Sequence, residues 1–136
     1  MKDKEYVKSK IPHRDPFLLV DCVTLIGDSG EIKAYRDLSE EDPIFRGHFP
    51  GNPVYPGVLM IEGLAQTAGI LLLEPKKTPL FAGIEHARFK EIVRPPCRLE
   101  YNVRVIGKKM NIVKVEGIAH VEGKICARAT LLVSSL

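Results

Sequence analysis

Hydrophobic and polar positions alternate through most of this chain, and the alternation fails in one long stretch. In "RLEYNVRV", Leu99, Tyr101, Val103 and Val105 alternate with Arg98, Glu100, Asn102 and Arg104. That is the period of a strand with one wet face. "NIVKVEGIAH" and "KICARATLLV" predict two more strands, linked by hairpin turns at residues 107–111 and at Glu122-Gly123. "FLLVDCVTLIGDSGEIKAYRDLS" predicts two extended segments turning at "GDSG", the first entered through a helical turn after Pro16, and "LFAGIEHARF" predicts a further strand. The exception is "PGVLMIEGLAQTAGILLLE", too long for a strand and rich in leucine, alanine, methionine and glutamate. It predicts a helix from Pro56, in the first turn, to a stop at Glu74-Pro75, about 28 Å long at 1.5 Å per residue. A helix apolar nearly all round must be enclosed on most sides.

Strands, one long buried helix and then an antiparallel meander predict an α+β domain whose sheet wraps a central helix. At 136 residues the chain is expected to form one domain, residues 1–136. A single sheet curled round one helix leaves sheet edges and a helix flank open, so a homodimer is expected. The net charge is only +3, with both signs interleaved, which is no nucleic-acid signature but favours an acidic partner. Cys22, Cys97 and Cys126 are odd in number and widely spaced, which points to a reducing compartment and no structural zinc. The start "MKDKEYVKSK" lacks an apolar leader core and the longest uninterrupted apolar run, "ILLL", is far too short to span a bilayer, so a cytoplasmic protein without membrane partners is expected.

The chemistry concentrates in "GHFPGNPVYPGVLMIEG", residues 47–63. Glu62 would lie nearly two turns into the helix among Met60, Ile61, Leu64 and Ala65, where desolvation raises a carboxyl pKa and favours the protonated acid. Gln66, one turn on, stands where it can orient that carboxyl. Taken alone, such a glutamate is more often paired with a buried arginine, capping a loop or facing solvent. His48 sits in a loop that Pro50, Pro53 and Pro56 restrict to few conformations, which favours a positioned imidazole, although a lone loop histidine is usually a surface residue. At the helix start the amides of Gly57 and Val58 lack intrahelical acceptors and can serve an oxygen on which negative charge develops, or simply bond to water. Together, a near-neutral base, a buried acid and an oxyanion donor suit β-elimination next to a carbonyl. His48 would take the α-proton of a 3-hydroxyacyl thioester, Gly57 N–H would stabilise the enolate-like oxygen, and Glu62 would protonate the departing hydroxyl. No metal or other cofactor is required. A water shared by His48 and Glu62 is an alternative proton route.

"PHRDPFLLVD", "GHFPGNPVYPGVLMIEGLAQTAG" and "FAGIEHARFK" resemble the FabZ family of (3R)-hydroxyacyl-[acyl carrier protein] dehydratases of bacterial type II fatty acid synthesis, from about Ile11 to the last strand. The resemblance implies a hot-dog fold, a dimer or a trimer of dimers, and a catalytic histidine and glutamate matching His48 and Glu62. It also implies that these two come from different subunits and that the Gly57 amide is the oxyanion donor. The related dehydratase-isomerases usually carry aspartate at the position of Glu62. The chain departs from the family pattern at Pro79-Leu80, where a tyrosine often precedes the phenylalanine, and at Asp15, where an aromatic is frequent.

Acyl carrier protein is acidic, and Arg88, Lys90, Arg94 and Arg98 are candidates for a rim that steers it, against the plainer reading of a solvated face. Phe49, Val54, Phe81, Ile84 and Phe89 are candidates for lining an acyl tunnel, although core packing accounts for most of them equally. Two rival functions are a hot-dog thioesterase, which needs no group over the 3-hydroxyl, and a non-catalytic acyl-thioester-binding regulator.

Overall fold

A computed structural model of the chain describes residues 1–74 and 77–135. Six strands, β1 (Cys22–Gly27), β2 (Glu31–Leu38), β3 (Pro79–Phe89), β4 (Cys97–Lys109), β5 (Ile112–Val121) and β6 (Lys124–Ser135), form one sheet in the order β1-β2-β4-β5-β6-β3. Every neighbouring pair is antiparallel. The alternation in β4 is realised directly: Leu99, Tyr101 and Val103 are buried, while Arg98 and Arg104 face out. β5 passes into β6 through Glu122 (φ 50°) and Gly123 (φ 81°), a two-residue turn that takes positive φ at both positions.

The sheet wraps helix α2 (Gly57–Leu72), buried from Met60 to Ile70 except at Glu62. The approach is close at Gly63, where any side chain would overlap the hydroxyl of the fully buried Tyr101, which donates to Leu19 O at 2.9 Å. This is the α+β hot-dog arrangement expected.

The local boundaries differ in four places. The helix begins at Gly57, and Pro56 is its N-cap (ψ 128°), because Val93 O accepts the Tyr55 amide at 2.8 Å and keeps the chain extended up to the proline. It ends at Leu72, two residues short of the expected stop at Glu74-Pro75, of which Pro75 lies outside the described residues. No helical turn follows Pro16: Phe17 N–H closes a tight turn on Arg14 O, and Leu19 N–H is then taken by the Gln66 side chain at 2.9 Å. The β4–β5 turn is narrower than expected, with Met110 at φ 58° between strands that reach Lys109 and Ile112. A short helix not foreseen, α1 (Lys4–Lys10), is capped by Asp3, which accepts Tyr6 N–H, and it buries Val7.

The two sheet edges are treated differently. At β1 the backbone of Lys2 bonds in both directions to Val23, at 2.7 and 2.8 Å. At the other edge β3 is long and mostly exposed, and carries Leu80, Phe81, Ile84 and Phe89, each 41–53% accessible. An edge strand of that length and polarity is an unfinished surface.

Candidate active site

Glu62 projects from the second turn of α2, its side chain 18% exposed. Burial pushes its carboxyl above the usual range, and a hydrogen bond from Gln66 Nε2 to Oε2 at 2.9 Å partly opposes this. Gln66 is almost fully buried and all its groups are committed: Oε1 accepts Leu19 N–H, and Nε2 also donates to Phe17 O at 2.8 Å. A residue four positions on shares the helix face of the first, so Gln66 fixes the Glu62 rotamer and ties it to the segment before β1. The carboxyl opens on a cavity of about 20 Å³ lined by His13, Gln66, Pro79, Leu80 and Phe81 among others. That admits about one water molecule and no acyl chain.

His13 is the residue sequence reasoning missed here. Its Nε2 lies 3.6 Å from Glu62 Oε2. The available signal was only its place in "PHRDP", a histidine held between two prolines.

His48 sits in the loop leading to α2. Phe49 and Asn52 exchange backbone hydrogen bonds across Pro50 and Gly51 (φ 72°), and Val54 N–H donates to His48 O at 3.0 Å. His48 Nδ1 then lies 2.7 Å from Val54 O. A carbonyl only accepts, so Nδ1 carries the proton and Nε2 presents its lone pair, the tautomer a general base requires. The ring stacks on Phe49, centroids 4.0 Å apart. His48 is not among the residues that line the Glu62 cavity of its own chain.

At the start of α2, the Gly57 and Val58 amides donate to no described residue, and no side chain caps them. A Cβ at position 57 would meet the Phe89 ring at 2.8 Å. Two free amides thus stand at the positive end of a helix, with the Phe89 ring against Gly57, and such a terminus can hold an oxygen with developing charge.

The FabA-like domain matches residues 11–130, a span that includes His13, His48, Gly57, Glu62 and Gln66. The chain belongs to the FabA-like family. Within it the chain groups with FabZ proteins. It is 57% identical over 129 residues, 94% of this chain and 93% of the other, to 3-hydroxyacyl-[acyl-carrier-protein] dehydratase FabZ of Thermotoga maritima. It is 40% identical over 141 residues to the FabZ of the same description from Campylobacter curvus, covering 96% and 95% of the two chains. Among solved structures it is similar to a chain of the dehydratase heterocomplex ApeI:P from Xenorhabdus doucetiae, with a TM-score of 0.81 at 16% identity over 96% of this chain and 90% of that one. That likeness concerns the fold.

The remaining expected residues of this FabA-like chain divide by position. Of the tunnel candidates, Phe81 borders the Glu62 cavity and Phe89 packs over Gly57. Phe49 backs His48, Val54 holds it through its carbonyl, and Ile84 is exposed on the free edge of β3. Of the basic residues, Arg88 and Lys90 are exposed at the end of β3. Arg94 is committed to the His48 loop, donating to Asn52 Oδ1 at 2.6 Å and Pro53 O at 3.3 Å. Arg98 pairs through two nitrogens with Asp37 and covers the Tyr35 ring.

Proposed function

We propose that the protein removes water from (3R)-hydroxyacyl-[acyl carrier protein] to give trans-2-enoyl-[acyl carrier protein] in type II fatty acid synthesis, at sites built between two protomers. The observation that carries the mechanism is the setting of Glu62: a largely buried carboxyl whose pKa burial raises, held at Oε2 by Gln66 with Oε1 left to the cavity. A thioesterase has no use for an acid poised to donate over a 3-hydroxyl, and a non-catalytic binder has no use for a histidine fixed in its basic tautomer.

His48 Nε2 takes the α-proton while the Gly57 amide stabilises the charge that moves onto the thioester oxygen, with Val58 N–H beside it. The C3–O bond then breaks as Glu62 gives its proton to the departing hydroxyl, releasing water and leaving a carboxylate facing an imidazolium. Return of the proton from His48 to Glu62 through solvent resets the site.

The same geometry supports a dimer. The Glu62 cavity lacks His48, is too small for an acyl chain and is walled by β3, whose free edge is bare. Edge-to-edge pairing of β3 with its copy covers that edge and brings the His48 loop of a second protomer toward Glu62, with Phe81 and Phe89 on the path of the acyl chain. Dimers grouped in threes are compatible with this interface. Arg88 and Lys90 beside the entrance steer the acidic carrier, while Arg94 and Arg98 act through the loop and β2.

The test is hydration of a crotonyl thioester measured against its hydrolysis. Hydration dominates, and His48→Ala and Glu62→Gln each lower it by about 10²–10⁴ with the dimer intact. Near-native turnover in Glu62→Gln would remove the acid from the scheme. Mixing the two inactive variants regenerates one intact site in each mixed dimer, about a quarter of native activity after random exchange. Verified mixed dimers that stay inactive would refute the shared site.

A further inference from the structure

Glu62 is approached by two nitrogens, and both come to the same oxygen. Gln66 Nε2 is 2.9 Å from Oε2 and His13 Nε2 is 3.6 Å from it. Oε1 accepts no hydrogen bond from the described residues and is not a buried atom: it is open to the cavity. His13 Nδ1 is buried and likewise has no partner among them. A buried N–H without an acceptor is rarer and costlier than a bare ring lone pair, so the neutral imidazole places its single proton on Nε2, toward Glu62. Burial, and then the Arg14 guanidinium, push the His13 pKa down and so favour the neutral imidazole.

We infer that His13 is a positioning residue for the acid: with Gln66 it occupies Oε2 from the protein side, confining the Glu62 proton to Oε1, and it stabilises the carboxylate left once that proton has gone. The inference rests on Glu62 acting as the acid, as proposed above. The gap of 3.6 Å is slightly long for a hydrogen bond in the substrate-free chain. Contacts of this kind tighten when the charge they serve develops. No net proton moves to or from His13, whose Nε2 stands 3.6 Å from Oε2 in the substrate-free chain and closes to a hydrogen bond as the carboxylate forms.

The groups facing His13 are few. Its charged neighbours are Arg14 and Glu62, together with the His48 of a second protomer in the proposed dimer. From β3 and β6 the cavity receives the apolar Pro79, Leu80, Phe81 and Val133. A donor to Oε2 favours the carboxylate, so removing it without admitting water raises the Glu62 pKa. The protonated acid then survives to higher pH.

His13→Leu is therefore expected to lower kcat by about tenfold to a hundredfold, the worth of a hydrogen bond to a charged group. KM stays within about twofold, the loss being in an interaction completed in the transition state. The alkaline limb of the kcat–pH profile moves to higher pH. His13→Gln, which keeps an N–H at the same reach, restores most of kcat and returns the limb. A side chain that merely fills space would lower stability or KM performance and leave the limb in place. An unmoved limb in His13→Leu, or a His13→Gln no better than it, overturns the inference. If His13→Leu does not fold by gel filtration and circular dichroism, His13→Asn, too short to reach Oε2, replaces it against His13→Gln with the same two criteria. Should Glu62→Gln prove active, the acid assignment fails and not the contact. Carbon NMR titration of the Glu62 carboxyl in the intact protein then decides: its midpoint rises in His13→Leu if the imidazole donates to Oε2, and an unchanged midpoint refutes it.

Discussion

Gln66 and Glu62 lie one turn apart on α2, and the Gln66 side chain that donates to Glu62 Oε2 at 2.9 Å also accepts Leu19 N–H at 2.9 Å. The acid is thereby tied to a segment 47 residues away from Gln66 in the chain. Gln66→Leu leaves Leu19 N–H and Phe17 O without their partner. Unpaired buried groups each cost about 1–3 kcal/mol, so we expect a loss of about 2–6 kcal/mol in denaturant unfolding. A roughly tenfold or greater fall in turnover accompanies it, because the acid loses its fixed rotamer. Native stability with unchanged turnover would show the triple contact to be idle.

Glu62 makes stability depend on pH in a defined direction. Its folded pKa is raised by burial, so the folded protein holds the proton more tightly than the unfolded chain. The contribution is fully present below the ordinary glutamate pKa, about 4.3, and is lost as pH rises through the raised folded value. Glu62→Gln removes that loss. Its melting temperature should exceed the native one near pH 8, and the difference should shrink toward pH 4. Differential scanning calorimetry across this range checks it; a gap that widens on acidification would reverse the sign.

The bare edge of β3 predicts how assembly and activity are coupled. Ile84 is 53% exposed in the single chain and has no catalytic part. Ile84→Lys places a charge on an edge that a second copy would cover, the device by which natural edge strands avoid pairing. We expect a monomer by sedimentation and at least about a hundredfold loss of dehydration at assay concentration, since each site as proposed draws on two protomers. A fully active monomer would contradict the two-protomer site.

Gly63 marks the closest contact of helix and sheet. A methyl group there would overlap the Tyr101 hydroxyl, itself bonded to Leu19 O. Gly63→Ala should destabilise by about 3 kcal/mol despite alanine's better helix propensity, because overpacking outweighs the propensity gain. A more stable Gly63→Ala protein, by urea unfolding, would show that Tyr101 moves aside freely.

Much of this was legible in the order of residues. β4 follows from two-residue alternation, the other strands from extended runs bounded by turn residues, and the central helix from a long apolar run, because each is a local pattern. Glu62 was conspicuous as the carboxylate inside that run, the other, Glu74, standing at its end, and Gln66 followed by helical spacing alone. α1 was not legible, since seven residues around one buried valine, Val7, carry too little periodicity. The start of α2 shifted by one residue because the hydrogen bond holding Tyr55 comes from Val93, far along the chain.

By itself the sequence determined the element types, the sheet-round-helix architecture and the pairing of an acid with its amide neighbour, all set by periodicities of two and 3.6 residues. Tertiary structure alone decided that His13 stands over the same carboxyl oxygen as Gln66, that Val54 O selects the His48 tautomer, that Lys2 closes one sheet edge while β3 leaves the other open, and that His48 lies outside its own chain's Glu62 cavity. The physical reason is distance along the chain. Contacts within a turn or a strand are written in spacing, whereas these depend on how elements tens of residues apart pack, and on which atoms that packing leaves without a partner.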